Sequence, residues 1–241
     1  MYEGAQFRRQ RHRLVHRVLT RMRAELLSSC AFLFAGGTRI ALEFGEYRES
    51  VDIDFLCSDG DGYGRLRNKL RSEGYAALFH NSDDVLSFPR EARTDQYGIR
   101  FPVVLEGVSI KVELIREARI SLEHGVRPAW SPVDCLSLDD CVAEKLLANS
   151  DRWADRSVLS RDLIDLGMLR AKMGPFPEEV WQRVEAAYKR SVYKDINKAI
   201  EHFFDDDVYR GRCMEGLVIE DPQELLDALE RLRREVPVDR P

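Results

Sequence analysis

The sequence has no long apolar stretch. Its longest uninterrupted run, from Cys30 to Ala35, is far shorter than the roughly 18 residues that a membrane-spanning helix needs. The arginine-rich N-terminus also lacks the apolar core of a signal peptide. Together these absences predict a soluble, cytoplasmic protein that has no membrane partner.

Cysteines that could pair locally are absent too. The chain has five cysteines and no Cys-x-x-Cys pair. An odd set without local pairs argues against a disulfide framework and against a structural zinc site. We therefore expect buried thiols.

The chain does contain enough apolar material for a core. It has 241 residues, 44% of them hydrophobic and 33% charged, with a net charge of -5. This length and composition are typical of one large or two small folded domains, and disorder is not expected.

The charge is unevenly spread along the chain. Residues 1–23 carry seven arginines and one glutamate, whereas residues 201–241 carry six arginines and twelve acidic residues. Apolar residues recur at helical spacing through residues 6–28, which predicts an amphipathic helix with a basic face. That face is either a local anion-binding surface or a solvated helix face. His12 and His16 lie on the same helix, and we expect them to be solvated rather than to bind a metal.

The order of apolar patterns predicts an α+β fold. A mixed β-sheet with flanking helices is followed by a C-terminal helical bundle, because the pattern becomes helical after Pro128 and Pro132. Ser58–Gly64 is rich in glycine and is predicted to be a loop. The predicted strands lie at residues 30–35, 51–57, 75–79, 85–88, 98–105 and 108–115, and the predicted helices at 39–44, 65–73, 138–150, 158–171, 177–190, 194–205 and 222–235.

The first candidate site is the turn Gly36-Gly37-Thr38, between a predicted strand and a predicted helix. Glycines let the backbone turn sharply and approach a ligand closely. Free N–H groups at a helix start and a threonine hydroxyl suit a phosphate. An ordinary turn followed by a helix N-cap has the same pattern, so this motif alone decides nothing.

The second candidate site is the pair Asp52 and Asp54 in an apolar strand. Because side chains alternate across a strand, the two carboxylates share one face. Two like charges in a strand need a compensating cation, and Mg²⁺ prefers such oxygen ligands. The alternative is a solvated strand end.

The two sites belong to a longer series of motifs. Gly-Gly-Thr is followed by Arg-Glu-Ser-Val-Asp-Ile-Asp at residues 48–54, by Glu-Lys-Leu-Leu at 144–147 and by Arg-Asp-Leu-Ile-Asp-Leu at 161–166. Over residues 31–170 this series resembles the AbiEii/AbiGii toxin-type nucleotidyltransferases of the DNA polymerase β-like superfamily.

The resemblance implies an activity and partners. A protein of this kind would transfer a nucleoside monophosphate from an NTP to an RNA acceptor, with the tRNA 3′ end as the specific expectation. It would be the toxin of a toxin–antitoxin or phage-defence pair, with a cognate antitoxin. Residues 1–130 would form the catalytic domain with its basic helix, and residues 131–241 a helical domain that completes the active site.

The resemblance also implies roles for particular residues. The implied catalytic residues are Asp52, Asp54, Lys145 and Asp162. Those implied to bind the nucleotide are Gly36, Gly37, Thr38, Arg48, Ser50 and Lys145, and those implied to hold Mg²⁺ are Asp52, Asp54 and Glu113.

Several of these residues have plain alternative explanations. Lys145 lies beside an apolar helical stripe and could be a surface lysine whose stem covers that stripe. Asp162 and Asp165 share a helical face, where they could favour a helix start or pair with Arg161. The family pattern favours Asp162 as the active-site residue and Asp165 as its structural neighbour.

Two further residues also have alternative explanations. Glu113 shares a strand face with Lys111, so an exposed ion pair is as good an explanation as a metal ligand. Arg39 stands where the family usually has a small residue, and it could touch phosphates or face solvent.

Other functions compete with RNA modification. The chain could modify a protein hydroxyl or a small molecule by the same chemistry. It could also be a catalytically silent nucleotide- or RNA-binding protein, or a purely structural module. The paired aspartates disfavour the last two, since neither needs a metal site.

Overall fold

The computed structural model describes residues 7–80 and 86–236. These residues form two compact units. The first contains the described residues up to Leu42 and from Ser50 to Ser137, and the second contains Glu43–Glu49 and the described residues from Leu138 onward. The chain therefore passes from the first unit to the second and back between α3 and β2, whose bounds follow.

The first unit has short helices around one sheet. In chain order, its elements in the described residues are α1 (Gln10–Leu19), α2 (Ala24–Ser29), β1 (Leu33–Ala35), α3 (Gly36–Glu43, whose last residue belongs to the second unit), β2 (Ile53–Cys57), α4 (Gly60–Glu73), β3 (Arg93–Thr94), β4 (Gly98–Leu105) and β5 (Val108–Arg116).

The sheet is mixed and has the strand order β1-β2-β5-β4-β3. β2 and β5 are parallel, with Asp54 opposite Glu113, whereas the other neighbours are antiparallel. β4 and β5 form a hairpin whose two turn residues, Glu106 and Gly107, both have positive φ. Two such residues match the right-handed twist of the flanking strands.

Three predicted elements of this unit are wrong in detail. The predicted helix over 6–28 is interrupted, because Met22 pairs with Phe79 and Arg23 N–H donates to the Leu78 carbonyl at 2.8 Å. The predicted strand at 75–79 is a 3₁₀ turn over Gly74–Ala77 followed by that single bridge. The strand predicted at 85–88 begins outside the described residues, and within them Ser87 forms one bridge with Val104.

The glycine-rich segment predicted as a loop is the first turn of α4. Asp59 caps this helix by accepting from the Asp61 N–H at 2.9 Å. Gly62 is required inside the helix, since a Cβ there would lie 2.3 Å from the Cys30 carbonyl oxygen. A glycine can therefore serve helix packing rather than chain flexibility.

The second unit is a bundle of helices. In its described residues these are α5 (Leu138–Arg152), α6 (Arg161–Met173), α7 (Glu178–Tyr188), α8 (Ser191–Asp205), α9 (Asp207–Gly216) and α10 (Pro222–Glu235). The sequence did not predict α9, whose N-cap Asp206 accepts from the Tyr209 N–H at 2.8 Å. α10 packs closely on α6 at Gly167, where a Cβ would lie 2.9 Å from a Leu229 methyl carbon.

The predicted fold class is confirmed. A mixed sheet with flanking helices is followed in the chain by a helical bundle. The five cysteines are buried free thiols, as expected. Within the described residues, no helix combines the length and the apolar character that crossing a bilayer would require.

Candidate functional site

The Gly-Gly-Thr turn lies directly against Asp54. β1 ends at Ala35, and α3 begins at Gly36, whose φ is +74°. A Cβ on Gly36 would lie 2.3 Å from Asp54 Oδ2. Only glycine combines this backbone conformation with so close an approach to a carboxylate.

Asp54 lies on β2, whereas Asp52 immediately precedes β2 and is outside the strand in which both were predicted. Both are partly exposed, whereas the alternating residues Ile53, Phe55 and Cys57 are fully buried. The strand is therefore anchored by its apolar face and leaves two carboxylates accessible.

Thr38 and Ser50 form an internal hydrogen bond. The Thr38 hydroxyl lies 2.9 Å from the Ser50 hydroxyl, and Thr38 is fully buried. The Ser50 N–H donates to His12 Nε2 at 3.1 Å. His12 is also fully buried, so the expectation that it is solvated is wrong. These contacts hold the chain before Asp52 against the start of α3.

His16 and Arg39 are also fixed inside the first unit. His16 Nε2 lies 2.9 Å from the Trp130 carbonyl oxygen, and burial lowers the pKa of this imidazole. Arg39 is 1% exposed, and its guanidinium carbon lies 5.8 Å from the Trp130 ring centre. Arg39 therefore neither faces solvent nor is poised at the surface for a phosphate.

Glu113 lies in an ion-pair cluster. Its Oε1 accepts from Arg100 Nε at 3.1 Å, and its Oε2 lies 2.5 Å from Lys111 Nζ. This is the ion-pair alternative raised by the sequence. Within residues 7–80 and 86–236, the side chains of His, Cys, Asp and Glu form no group of three suited to a metal ion.

The second unit contains a buried ionic network centred on Asp165. Its Oδ1 accepts from the Tyr47 hydroxyl and from Arg48 Nε, each at 2.6 Å. Its Oδ2 accepts from Arg48 Nη2 at 2.9 Å and lies 2.7 Å from Lys145 Nζ. Asp165 is therefore surrounded by donors, and it is fully buried.

Asp162 extends the network on the other side of Lys145. Lys145 Nζ donates to Asp162 Oδ1 at 2.8 Å, and Arg152 donates from Nε to Oδ2 at 2.7 Å and from Nη2 to Oδ1 at 3.0 Å. Lys145 is 7% exposed, so it is not a surface lysine. Neither carboxylate pairs with Arg161 in these contacts, although the sequence allowed it.

Mutual compensation keeps this network charged. Burial alone would raise the pKa of Asp162 and Asp165, but Lys145 with Arg152 and Arg48 with Lys145, respectively, hold both values below the ordinary range. Burial alone would lower the pKa of Lys145, and the two carboxylates reverse this. Three cations and two carboxylates therefore remain ionised at neutral pH.

All three guanidinium nitrogens of Arg48 donate hydrogen bonds inside the second unit. Besides its two bonds to Asp165, its Nη1 donates to the Glu49 carbonyl at 2.8 Å. The same segment is held by backbone bonds from Glu49 N–H to Leu217 and from Glu220 N–H to Tyr47. The structure therefore does not support the prediction that Arg48 contacts the nucleotide directly, and places it instead as an anchor of residues 43–49.

Sequence reasoning missed Tyr47 and Arg152. Arg152 stands seven residues after Lys145 on α5, a helical spacing that places both on one face and could have identified it. Tyr47 only adjoins a motif residue, and no local pattern marks it as a partner of Asp165.

Comparison with known proteins identifies the family. A family model described as "Nucleotidyl transferase AbiEii toxin, Type IV TA system" matches residues 17–234. No curated protein matches the sequence.

One solved structure shares the fold. JHP933 from Helicobacter pylori is similar with a TM-score of 0.56 and 18% identity, over 95% of this chain and 91% of that one. A candidate nucleotidyltransferase from the same organism gives a TM-score of 0.46 at 15% identity, over 97% of each chain. Because the family model spans most of the sequence, the protein belongs to the AbiEii nucleotidyl transferase toxin family and is a nucleotidyltransferase.

Proposed function

We propose that the protein transfers a nucleoside monophosphate from an NTP to an RNA acceptor, specifically the 3′ end of tRNA, with Mg²⁺ as its metal. Membership of the family supports nucleotidyl transfer, an NTP substrate and an antitoxin partner. The protein would act in the cytoplasm, where its NTP donor is made, as the toxin of a toxin–antitoxin or phage-defence pair.

The observation that carries this proposal is the contact between the Gly36 backbone and the Asp54 carboxylate. It brings the N–H groups at the start of α3 to the same place as a carboxylate. Backbone N–H groups favour phosphate oxygens, while carboxylates favour a hard cation. A triphosphate with its metal ion satisfies both at once.

The residues present fit Mg²⁺. Mg²⁺ is usually held by one or two carboxylates and completes its coordination with water and substrate phosphates. Asp52 and Asp54 are partly exposed and provide that number. The bound ion would neutralise the triphosphate and lower the pKa of the acceptor hydroxyl. Glu113 would join it only by leaving Arg100 and Lys111.

Residues of the chain itself would bind the phosphates and position the turn. Gly36 and Gly37 bring backbone N–H groups to the phosphates. Thr38 and Ser50, bonded to each other, hold the turn and the segment before Asp52 in register.

Lys145 and Asp162 would act as a pair. Two of the three Lys145 N–H donors go to Asp162 and Asp165, and we assign the third to a phosphate oxygen. Asp162 would keep the ammonium charged and oriented while pyrophosphate leaves.

Labelled nucleotides test the reaction and the acceptor together. The full-length protein is incubated with Mg²⁺, a total cell extract and each NTP labelled in turn at the α- or γ-phosphate. We expect the α-label to enter the RNA fraction, the γ-label to stay out of it, and chelation of the metal to stop both. Sequencing of the labelled RNA then locates the added nucleotide.

Other outcomes decide between the alternatives. An α-label in protein or in small molecules would replace the RNA acceptor without changing the chemistry. A γ-label in any acceptor would indicate a kinase, and no label in any fraction would contradict the proposal. The Asp54→Asn variant is the control for a contaminating enzyme.

A further inference from the structure

The first unit contains a cleft of about 520 Å³, and its lining residues do not include those of the Gly-Gly-Thr turn. α4, the 3₁₀ turn and β3 form its walls. Its volume is within the range of small-molecule and nucleotide sites. We call it the Arg67 groove, and its lining residues include Arg67, Leu70, Arg71, Tyr75, Glu91 and Ala92.

Two arginines form the cationic rim of the Arg67 groove. Arg67 and Arg71 stand four residues apart on α4 and so share a helix face. Arg67 Nε is buried and has no hydrogen-bond partner. Within the described ranges, no carboxylate forms a salt bridge with either guanidinium. A buried, unpaired N–H is costly, and a bound acceptor oxygen would remove that cost.

Three of the N-terminal arginines differ in this respect. Arg17 pairs with Glu106 at 2.5 Å, Arg13 donates to the Phe7 carbonyl at 3.1 Å, and Arg23 donates to the Ala76 carbonyl at 3.1 Å. Their donors already serve the fold. The bond from Arg23 also fixes this segment against the 3₁₀ turn.

The floor of the Arg67 groove is apolar and fixed. Leu70 and Ala92 contribute aliphatic surface, and the Tyr75 ring stacks on Phe88 with ring centres 4.1 Å apart. The Tyr75 hydroxyl donates to the Arg90 carbonyl at 2.7 Å, which holds the ring in place. A cationic rim above a flat apolar floor is suited to a ligand with alternating phosphates and bases.

We propose that the Arg67 groove binds a single-stranded segment of the acceptor RNA, with phosphates on Arg67 and Arg71 and a base against the floor. The inference rests on the proposed function for the identity of the strand. Glu91 is the carboxylate among the lining residues, and it opposes phosphate binding. Because the groove shares no lining residue with the Gly-Gly-Thr turn or with Asp52 and Asp54, we expect it to set affinity for the acceptor rather than chemistry.

Direct binding measurements test the groove. Fluorescence anisotropy is recorded for the full-length protein with a labelled single-stranded RNA of about 12 nucleotides across a range of salt concentrations. We expect Arg67→Gln/Arg71→Gln to weaken binding about tenfold and to reduce the salt slope by about 1.4, the value for two lost phosphate contacts on a single strand. We expect Glu91→Gln to strengthen binding about threefold, since it removes the opposing charge.

A matched control separates local contact from net charge. Arg65→Gln/Lys69→Gln removes two charges from the same helix, and neither residue is among those lining the groove. We expect this variant to bind RNA within about twofold of the unaltered protein. Arg67→Lys/Arg71→Lys keeps both charges and should keep the salt slope, which guards against loss of folding in the glutamine variant.

Each result has a clear meaning. The proposal would be contradicted if both double glutamine variants weakened RNA binding equally. It would also be contradicted if the protein bound mononucleotides more tightly than the RNA. An acidic peptide that competes with RNA at equal affinity would also overturn it in favour of a protein partner. If the groove variants lose RNA binding while the unaltered protein transfers no label to RNA, the groove is confirmed as an RNA-binding site and RNA is excluded as the acceptor. If instead the unaltered protein transfers label to RNA and the groove variants bind RNA as tightly as it does, the proposed acceptor is supported and the groove is not its binding site.

Discussion

The two units treat their aspartates in opposite ways. In the sheet unit, Asp54 on β2 and Asp52 just before it are partly exposed, and within the described chain no cation forms a salt bridge with Asp52. In the helical unit, Asp162 and Asp165 are buried and are neutralised by two arginines and a lysine. The second pair uses its charge inside the fold, whereas the first pair remains partly exposed to solvent.

This difference bears on how motif residues are interpreted. Both pairs belong to the motifs that resemble the family, and the sequence alone does not separate them by role. The structure assigns Asp165 to a network that also fixes Arg48, the residue that begins the Arg-x-Ser-x-Asp segment. A carboxylate of the helical unit therefore fixes the first residue of this segment inside the helical unit.

The largest effect is expected from the exposed pair. Asp52→Asn and Asp54→Asn should each lower nucleotide transfer by about 10³-fold or more, because each removes a charge that would hold the metal ion against the triphosphate. Thermal unfolding of Asp52→Asn should be unchanged, since relieving the repulsion between two carboxylates does not weaken the metal-free fold. Near-normal transfer by either variant at saturating Mg²⁺ and NTP would remove the metal site.

The buried pair should respond in stability. Asp165→Asn leaves Arg48 and Lys145 without their shared carboxylate and should destabilise the helical unit by about 3–5 kcal/mol. Asp162→Asn is the matched control on the same helix, and it should cost only about 1–2 kcal/mol, because Arg152 is partly exposed and can turn to water. Urea unfolding and hydrogen exchange of the α6 amides measure both.

Activity sharpens the same comparison. If Asp162 has the proposed role beside the triphosphate, Asp162→Asn should lose transfer while staying folded, whereas Asp165→Asn should lose both together. Equal destabilisation by the two variants would make Asp162 a structural residue like its neighbour.

A smaller effect is expected with pH. Because the folded-state pKa values of Asp162 and Asp165 lie below the ordinary value, their contribution is fully present above about pH 5 and is lost as the pH falls through those values. The stability difference between the unaltered protein and Asp165→Asn should shrink by about 1 kcal/mol between pH 7 and pH 3. The raised pKa of Lys145 contributes stability that is fully present below about pH 10 and is lost only as the pH rises through the folded-state pKa. A constant difference down to pH 3 would mean that folding does not lower the pKa of Asp165.

Local patterns explain which parts of the fold could be predicted. The strand Gly98–Leu105 has its predicted bounds, because period-two alternation and a two-residue turn define both ends. The break between α1 and α2 could not be predicted, since it depends on pairing with Phe79, far away in sequence. Tertiary contacts override the local helical periodicity there.

The same distinction holds for the candidate site. Asp52 and Asp54 could be recognised, because a carboxylate pair in an apolar strand is locally conspicuous. The partner of Arg48 could not, since Asp165 lies more than a hundred residues away and several carboxylates are equally suited in sequence. Long-range ionic partners are chosen by folding, and no local spacing records that choice.

The smallest effect is expected at Glu113, which stands between the two behaviours. It lies opposite Asp54 on the parallel strand β5, yet its two oxygens contact Arg100 and Lys111. If this ion pair is its role, Glu113→Gln should change transfer by less than about threefold and stability by less than about 1 kcal/mol, because Arg100 and Lys111 are both partly exposed and remain hydrated. Measuring the transfer rate of Glu113→Gln over a range of Mg²⁺ concentrations tests the effect on transfer. The Mg²⁺ concentration needed for half-maximal rate could instead rise while stability is unchanged. That result would make Glu113 a third metal ligand, with the same role as Asp52 and Asp54.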